Sequence, residues 1–103
     1  MKILLVCSEG MPTSMLVQKM RQAAAERSLE VEIDAVSEVS LKKHIAGTQV
    51  LLLGPQVRYL LKKLSAEYEP AGVHVAVIDM VDYGRMNGAA VLEKALALAA
   101  HGS

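Results

Sequence analysis

The sequence contains very little cysteine, no tryptophan or phenylalanine, and no excess of positive or negative charge. A single cysteine, Cys7, excludes a disulfide within the chain, which fits a reducing compartment and leaves the thiol for chemistry or for packing. Lysine and arginine together number 11, as do aspartate and glutamate, and the two signs are interspersed. Binding of nucleic acid needs a basic face that neutralises phosphates, so we expect no nucleic-acid partner.

Long apolar runs are also missing. The longest runs are strand-sized, far below the roughly 20 residues that cross a bilayer. The N-terminal run ends at Cys7 and has neither the h-region length nor the small-residue cleavage site of a signal peptide. With 103 residues, of which 52% are hydrophobic, the chain is expected to form one domain, residues 1–103, that is cytoplasmic, monomeric and not itself membrane-spanning.

Four times along the chain, a short apolar run passes through a turn or polar loop into a stretch with helical spacing. The expected strands are 2–6, 30–36, 50–53 and 73–78, and the expected helices are 13–27, 40–46, 57–64 and 87–100. In the second strand Val31, Ile33 and Ala35 alternate with acidic residues, which predicts a half-exposed edge strand. The third strand is continuously apolar, as in strands buried on both faces.

Strands that alternate with helices predict parallel strands joined by right-handed crossovers. We expect an open four-stranded parallel α/β sheet in the order 2-1-3-4, with helices on both faces. Ligands of such sheets bind beyond the carboxyl ends of the strands, where the strand order reverses. Here that point lies between the first and third strands, so the loops that open with Cys7 and Gly54 are the candidate site.

The loop after the first strand has the composition of an anion site. The N–H groups of a loop and of the first turn of a helix lack intrahelical partners, and Gly10 lets the loop curl around a ligand. Thr13 and Ser14 are good N-cap residues that add hydroxyl donors. The same field favours the thiolate of Cys7, so we expect a lowered thiol pKa and a nucleophile beside bound phosphate. The alternative is that Cys7 is a small apolar residue that fills space.

Three segments identify a family. The stretches "VCSEGMPTSMLVQKM", "LLLGPQV" and "VIDMVDYGRMNG" resemble the cytoplasmic IIB component of the lactose/cellobiose class of the bacterial sugar phosphotransferase system (PTS), over nearly the whole chain. The resemblance implies that Cys7 accepts a phosphoryl group from a phosphohistidine on the IIA component. It then passes the group to a sugar, a β-glucoside or disaccharide such as cellobiose or lactose, held by the membrane permease IIC.

The resemblance also assigns a loop that wraps the phosphoryl group, which consists of Ser8, Glu9, Gly10, Met11, Pro12, Thr13 and Ser14. The family usually has small residues where this chain has Ser8 and Glu9, and serine where it has Pro12. Glu9 brings a negative charge toward the phosphate, and Pro12 lacks an N–H donor.

The expected fold is similar to that of low-molecular-weight tyrosine phosphatases, so a cysteine-dependent phosphatase or arsenate reductase is the alternative function. The phosphatase loop consists of a cysteine, five residues, an arginine and then a serine or threonine. In this chain Thr13 stands at the position of that arginine. Without that guanidinium the transition state for hydrolysis loses its bidentate clamp, which favours a carrier. The single cysteine opposes the disulfide relay of arsenate reductases. A third possibility is an interaction domain that senses oxidation or phosphorylation of an exposed thiol.

Four further residues are possible auxiliaries of the site. Gln56 is a candidate donor to phosphate or a partner contact, although Pro55 near a first helical position also fits a plain strand-to-helix turn. Asp79 and Asp82 are candidates for assisting sulfur as a leaving group, with helix capping or a turn as the alternative. Tyr83 is expected to border a partner surface.

Metals, cofactors and free sugars find no recognisable site in the sequence. His44, His74 and His101 match no metal motif, and we expect neither a metal nor a cofactor. The low aromatic content, 3%, provides no stacking platform for a free sugar. This is consistent with recognition of the sugar by IIC.

Overall fold

The computed structural model, which describes residues 1–8 and 13–101, is built around a parallel sheet in the order β2-β1-β3-β4. The strands are β1 (Lys2–Val6), β2 (Glu32–Val36), β3 (Val50–Leu53) and β4 (His74–Val77). Each neighbouring pair is parallel, so β1 and β3 form the centre and β2 and β4 the edges. The predicted strand order and directions are confirmed.

Helices cover both faces of the sheet, as predicted. The α-helices are α1 (Thr13–Glu26), α2 (Leu41–His44), α3 (Leu61–Tyr68), α4 (Met80–Gly84) and α5 (Gly88–Ala100), and two 3-10 helices span Pro55–Leu60 and Glu69–Ala71. One core cluster joins α1, α4 and α5 to the sheet, and a second joins α2 and α3 to the opposite face. The sheet is therefore the middle of three layers.

Alternation along β1 decides which layer each side chain enters, because successive side chains in a strand point to opposite faces. Ile3 and Leu5 belong to the cluster with α1 and α5, whereas Leu4 and Val6 belong to the cluster with α3. All four are fully buried. Cys7 continues the first series and lies in the cluster with α1 and α5.

Helices α1 and α5 approach closely at Gly88, the first residue of α5. A Cβ added there would lie 2.4 Å from the carbonyl carbon of Lys19 and 2.6 Å from the backbone nitrogen of Met20. These distances are far below van der Waals contact and involve backbone atoms. Glycine at position 88 therefore sets the spacing of the two helices that cover the Cys7 face.

The expected helix at 57–64 is two shorter segments. Pro55 begins a 3-10 helix, inside which Val57 has non-helical dihedrals (φ −116°, ψ 23°), and α3 starts only at Leu61. The apolar spacing of this stretch is real, because Val57, Leu60 and Leu64 are all buried. Periodicity alone cannot distinguish one continuous helix from a 3-10 turn that leads into a helix.

Other expected boundaries also change. The second strand begins at Glu32 rather than at 30, and Ala35 is exposed although the alternation placed it with buried Ile33. The helix expected at 40–46 keeps only α2, because Ser40 makes no side-chain cap hydrogen bond and Gly47 has a positive φ of 78°. The helix α4 was not expected, since five residues are too few to show a helical period.

Candidate functional site

Cys7 is the first residue after β1, and it is buried, with a relative exposure of 6%. Its backbone N–H donates to the carbonyl oxygen of Val36 at 3.4 Å, which continues the β1–β2 ladder by one residue. The side chain packs in the core cluster that includes Leu16 and Tyr83. Cys7 is thus fixed by the end of the central strand rather than carried on an exposed loop.

Gly54 stands beside Cys7 at the end of β3. Its N–H donates to the carbonyl oxygen of Val6 at 2.9 Å, so the backbones of β1 and β3 stay joined one step beyond the strands. A Cβ added to Gly54 would lie 3.2 Å from Cys7 Sγ and 3.6 Å from the Val6 carbonyl oxygen. The residues that open the two predicted loops, Cys7 and Gly54, are therefore in contact at the strand-order reversal, as predicted.

Gln56 reaches the same place from the 3-10 helix. A Cβ added to Gly54 would lie 3.0 Å from Gln56 Oε1 and 3.2 Å from Cys7 Sγ, so both side chains approach Gly54 at the same point. Pro55 occupies the first position of that 3-10 helix, as the turn interpretation predicted. The turn therefore also places the Gln56 amide beside the sulfur.

Tyr83 lies in α4 and packs in the same core cluster as Cys7. It is buried, with 7% relative exposure, and its place at the border of a partner surface stays a prediction. Burial of the ring raises the pKa of Tyr83, and the neighbouring Cys7 raises this pKa further, whereas the Gln56 side chain acts in the opposite direction. The Tyr83 hydroxyl is a buried polar atom whose polar neighbours include Gln56 and Cys7, and in the described part of the chain it makes no hydrogen bond of good geometry with either.

Asp79 caps α4. Its Oδ1 accepts from the backbone N–H groups of Val81 at 2.9 Å and Asp82 at 3.1 Å, and these bonds lower the pKa of the Asp79 carboxyl. The capping alternative considered for Asp79 is thus present in the structure. The Tyr83 N–H donates to the Asp79 carbonyl oxygen at 2.9 Å, so the capped turn also places Tyr83.

Asp82 lies close to a lysine of α5. Its Oδ2 lies 3.8 Å from Lys94 Nζ. Asp79 and Asp82 both line an apolar cavity of about 310 Å³ between β4 and α5, and the lining does not include Cys7. The Asp82 carboxylate therefore lies near Lys94, at a cavity that residues of α5 also line.

The predicted phosphate loop is described only in part. Ser8 is half-buried and Ser14 is exposed, and Thr13 and Ser14 are the first two residues of α1. Glu9, Gly10, Met11 and Pro12 lie outside the described residues. Whether Thr13 or Ser14 caps α1 depends on that segment, so their hydroxyl role stays a prediction.

The histidines lie away from the residues grouped around Cys7. His44 ends α2, His74 begins β4 and His101 follows α5. Within residues 1–8 and 13–101, no three histidine, cysteine or acidic side chains form a group able to hold a metal ion. In the same part of the chain, no helix has the length and apolar character needed to cross a membrane.

One feature of the site escaped sequence reasoning. Five large apolar side chains in segments that follow strand ends are exposed, by 53%, 88%, 74%, 63% and 58% respectively: Met15, Val39, Tyr59, Met80 and Val81. We call them the carboxyl-edge apolar set. Their common position after a strand is the signal in the sequence that could have found them.

The comparisons with known proteins agree with the motif-based resemblance. Residues 2–94 match the family model described as PTS system, Lactose/Cellobiose specific IIB subunit. The chain is 46% identical over 98 residues to the PTS galactose-specific EIIB component of Lactococcus lactis subsp. cremoris (strain MG1363), which covers 90% of this chain and 91% of that protein. It is 41% identical over 97 residues to the oligo-beta-mannoside-specific EIIB component of Bacillus subtilis (strain 168), with 94% of each covered.

A solved structure is also similar. The solution structure of a cellobiose-specific phosphotransferase IIB component from Borrelia burgdorferi superposes with a TM-score of 0.82 at 39% identity. The match covers 100% of this chain and 94% of that one. The similarity therefore extends over the sheet and all the helices that surround Cys7.

Proposed function

The chain belongs to the lactose/cellobiose-specific IIB family of the PTS, and we propose that it is a phosphocysteine carrier whose phosphoryl acceptor is Cys7. Membership makes it a phosphotransferase of sugar transport that works with other PTS components. The observation that carries the proposal is the position of its single cysteine. Cys7 stands at the carboxyl end of the central strand, against Gly54, where sheets of this type bind ligands.

The proposed reaction has two transfers. In the first, the Cys7 thiolate attacks the phosphorus of a phosphohistidine on IIA, and the P–N bond breaks as the P–S bond forms. The electron pair of the P–N bond stays on the ring nitrogen, and the proton carried by the other ring nitrogen of the phosphohistidine leaves IIA with a neutral imidazole. In the second, a hydroxyl of the sugar held by IIC attacks the same phosphorus. The P–S bond then breaks, its electron pair returns to sulfur as thiolate, and the hydroxyl proton passes to a base on IIC or to water. Catalysis of such steps is mostly positioning and charge stabilisation.

The surface around Cys7 supports docking of protein partners. The carboxyl-edge apolar set lies in the segments after all four strands, on the side of the sheet where β1 delivers the cysteine. Parallel strands end at one edge of the sheet, and exposed apolar side chains at such an edge support a protein interaction site there. The same surface would serve IIA and IIC in turn, since each must bring its reacting atom to one sulfur.

The absence of an arginine between Cys7 and Ser14 supports a carrier over a phosphatase. An arginine would clamp the phosphate with two hydrogen bonds and stabilise the transition state for attack by water. Phosphocysteine without it is expected to persist until an acceptor arrives. This difference favours a carrier that holds the phosphoryl group between its donor and its acceptor.

The test is the intact mass of the protein after incubation with phosphoenolpyruvate, the general PTS components and a lactose/cellobiose-type IIA. Wild type is expected to gain one phosphoryl group and Cys7→Ser to gain none, because a serine hydroxyl is not ionised near neutral pH. Omitting IIA is the matched control and should leave both proteins unmodified. No gain with several IIA proteins, together with hydrolysis of an aryl phosphate, would instead favour the phosphatase.

We further propose a sugar of the β-glucoside or disaccharide type, such as cellobiose or lactose, bound by IIC. The named relatives are specific for different sugars, galactose and oligo-beta-mannoside, although they resemble this chain to similar extents. That pattern is expected if the IIB surface recognises its permease and the permease recognises the sugar. Formation of sugar phosphate from a panel of sugars, with one IIB and exchanged IIC membranes, tests it: product identity should follow IIC.

The remaining proposals concern the form of the protein. We propose that residues 1–103 are a single IIB domain that acts as a cytoplasmic monomer. Sedimentation velocity under reducing conditions is expected to give a monomer, and cell fractionation should place the chain in the soluble fraction. A dimer that persists under reducing conditions would contradict the monomer.

A further inference from the structure

The Tyr83 hydroxyl is buried beside the cysteine, and the carrier reaction as written does not use it. A buried hydroxyl without a well-formed hydrogen bond costs stability, and phenylalanine would fill the same space without that cost. The residue is nonetheless firmly placed, because Asp79 caps its helix and the Asn87 N–H donates to the Asp82 carbonyl oxygen at 2.9 Å. A polar atom held in this way beside a reacting sulfur has a candidate use in the chemistry.

We propose that the Tyr83 hydroxyl donates a hydrogen bond to Cys7 Sγ when the sulfur is negatively charged. This occurs twice in the cycle: in the thiolate before phosphorylation, and in the leaving group when the phosphoryl group moves to its acceptor. The second role rests on the carrier function proposed above. Tyr83 is in this sense a catalytic residue, since it touches the reacting atom.

The polar neighbours of Tyr83 determine the direction of the hydrogen bond. The pKa of Tyr83 is raised by burial and then by Cys7, so the phenol keeps its proton at neutral pH. The O–H group is therefore available as a hydrogen-bond donor to the sulfur. On its other side the Gln56 amide can donate to the phenol oxygen, which strengthens the O–H as a donor. The order of donation is therefore Gln56, Tyr83, Cys7.

No proton moves between Tyr83 and Cys7 in the proposed step, and the proton of the sugar hydroxyl passes to a base on IIC or to water. When the sugar hydroxyl attacks phosphorus, the P–S bond breaks and its electron pair stays on sulfur. The Tyr83 O–H shortens its hydrogen bond to that sulfur as the charge develops, which stabilises the transition state more than the phosphorylated ground state. The phenol proton remains on oxygen, and the thiolate is regenerated for the next transfer.

The test compares Tyr83→Phe with wild type and with Tyr68→Phe. Tyr68 is a matched control, because it is also buried, its pKa is also raised by burial, and it lies in the core cluster on the opposite face of the sheet. The first readout is the pH dependence of Cys7 alkylation by iodoacetamide, with thiolate absorbance as a second measure. Neither readout requires a PTS partner.

Tyr83→Phe is expected to raise the alkylation midpoint by about one pH unit, a tenfold loss of thiolate below the midpoint, since hydrogen bonds to charged groups are the strong ones. Tyr68→Phe should not move it. The melting temperature of Tyr83→Phe should equal or exceed that of wild type, whereas removal of a hydroxyl with a purely structural role would lower it. Transfer from phosphorylated protein to sugar is expected to slow about tenfold.

The outcomes separate this inference from the carrier function. An unchanged midpoint in Tyr83→Phe, in a protein that IIA phosphorylates normally, overturns the inference and leaves the carrier intact. A raised midpoint in a protein that no IIA phosphorylates would support the hydrogen bond to sulfur and remove the carrier. A raised midpoint with slowed transfer supports both.

Discussion

Gly54 and Cys7 are in such close contact that a Cβ on Gly54 would stand 3.2 Å from Cys7 Sγ, closer than ordinary van der Waals contact. The backbone of Gly54 (φ −60°, ψ 151°) is one that any residue adopts. Glycine is therefore needed for space and not for conformation. It lets the central strands bring the sulfur, the Gln56 amide and the end of β3 into one small volume.

Gly54→Ala is expected to slow phosphorylation of Cys7 by about tenfold while the protein stays folded, because small displacements of reacting atoms are costly. The new methyl group presses on Cys7 Sγ and on Gln56 Oε1, both ends of side chains that can rotate away. Stopped-time mass spectrometry with saturating IIA measures the rate, and circular dichroism checks the fold.

Gly84→Ala is the control for this substitution, since a Cβ at Gly84 meets nothing within 4 Å. It should transfer phosphoryl groups at the wild-type rate. Equal rates for Gly54→Ala and Gly84→Ala would mean that the contact between Gly54 and the sulfur has no bearing on transfer.

Asp79→Asn and Asp79→Ala separate capping from acid catalysis. Asparagine is a good N-cap and alanine is not, so only Asp79→Ala is expected to lower the stability at neutral pH strongly. A general acid would be lost in both variants. We expect Asp79→Asn to keep the wild-type transfer rate, measured as the discharge of phosphorylated protein to sugar, and a large loss of rate would return Asp79 to the chemistry.

The same carboxyl predicts a pH dependence. The folded-state pKa of Asp79 is lowered by the Asp82 and Val81 N–H groups, so its ionised form stabilises the folded protein. That contribution is complete above the unfolded-state value of about 3.9 and is lost as the pH falls from there through the folded pKa. The stability of wild type should therefore approach that of Asp79→Asn on acidification, as chemical denaturation at a series of pH values would measure. A difference that does not change with pH would contradict the role of the charge.

Sequence reasoning works for the sheet because the strands carry two independent signals. Continuous apolarity in β3 and alternation in β2 separate a central strand from an edge strand, and the right-handed crossover then leaves few possible orders. The short segments lack such signals. Five residues of α4 show no period, and the 3-10 turn at Pro55 shares its apolar spacing with α3.

The site divides in the same way. Cys7 and Gly54 follow from strand ends, and the meeting of their loops follows from the strand order. The burial of Tyr83 does not, because it depends on the direction in which an unforeseen helix points its side chain. Spacing places a residue on a loop, but only packing shows which side chain reaches the sulfur.

Arg21→Lys is expected to destabilise the edge strand. Arg21 donates to the Ile33 carbonyl oxygen through Nε at 2.9 Å and Nη2 at 2.6 Å, and Nη2 also lies 2.6 Å from Asp34 Oδ1. Lysine cannot reproduce this fork, and the loss should be about 1 kcal/mol in denaturant unfolding. Arg27→Lys is the matched control, because Arg27 makes one exposed ion pair with Glu93. Its cost should be below about 0.5 kcal/mol, and equal effects of the two variants would argue against the fork.

Gly88→Ala is expected to destabilise the packing of α1 against α5. The added Cβ would stand 2.4 Å from the Lys19 carbonyl carbon and 2.6 Å from the Met20 nitrogen, so α1 and α5 must move apart. Such overpacking costs about 1 to 3 kcal/mol, against the roughly 1 kcal/mol by which alanine exceeds glycine in helix propensity. Each net kcal/mol lowers the melting temperature of a domain of this size by about 4 to 8 °C, which calorimetry resolves.

Gly84→Ala, with open space around its Cβ, should melt at or above the wild-type temperature. Because α1 and α5 cover the face that holds Cys7, Gly88→Ala should also speed alkylation of the buried thiol. A variant that melts like wild type would show that the two helices are not held at this spacing.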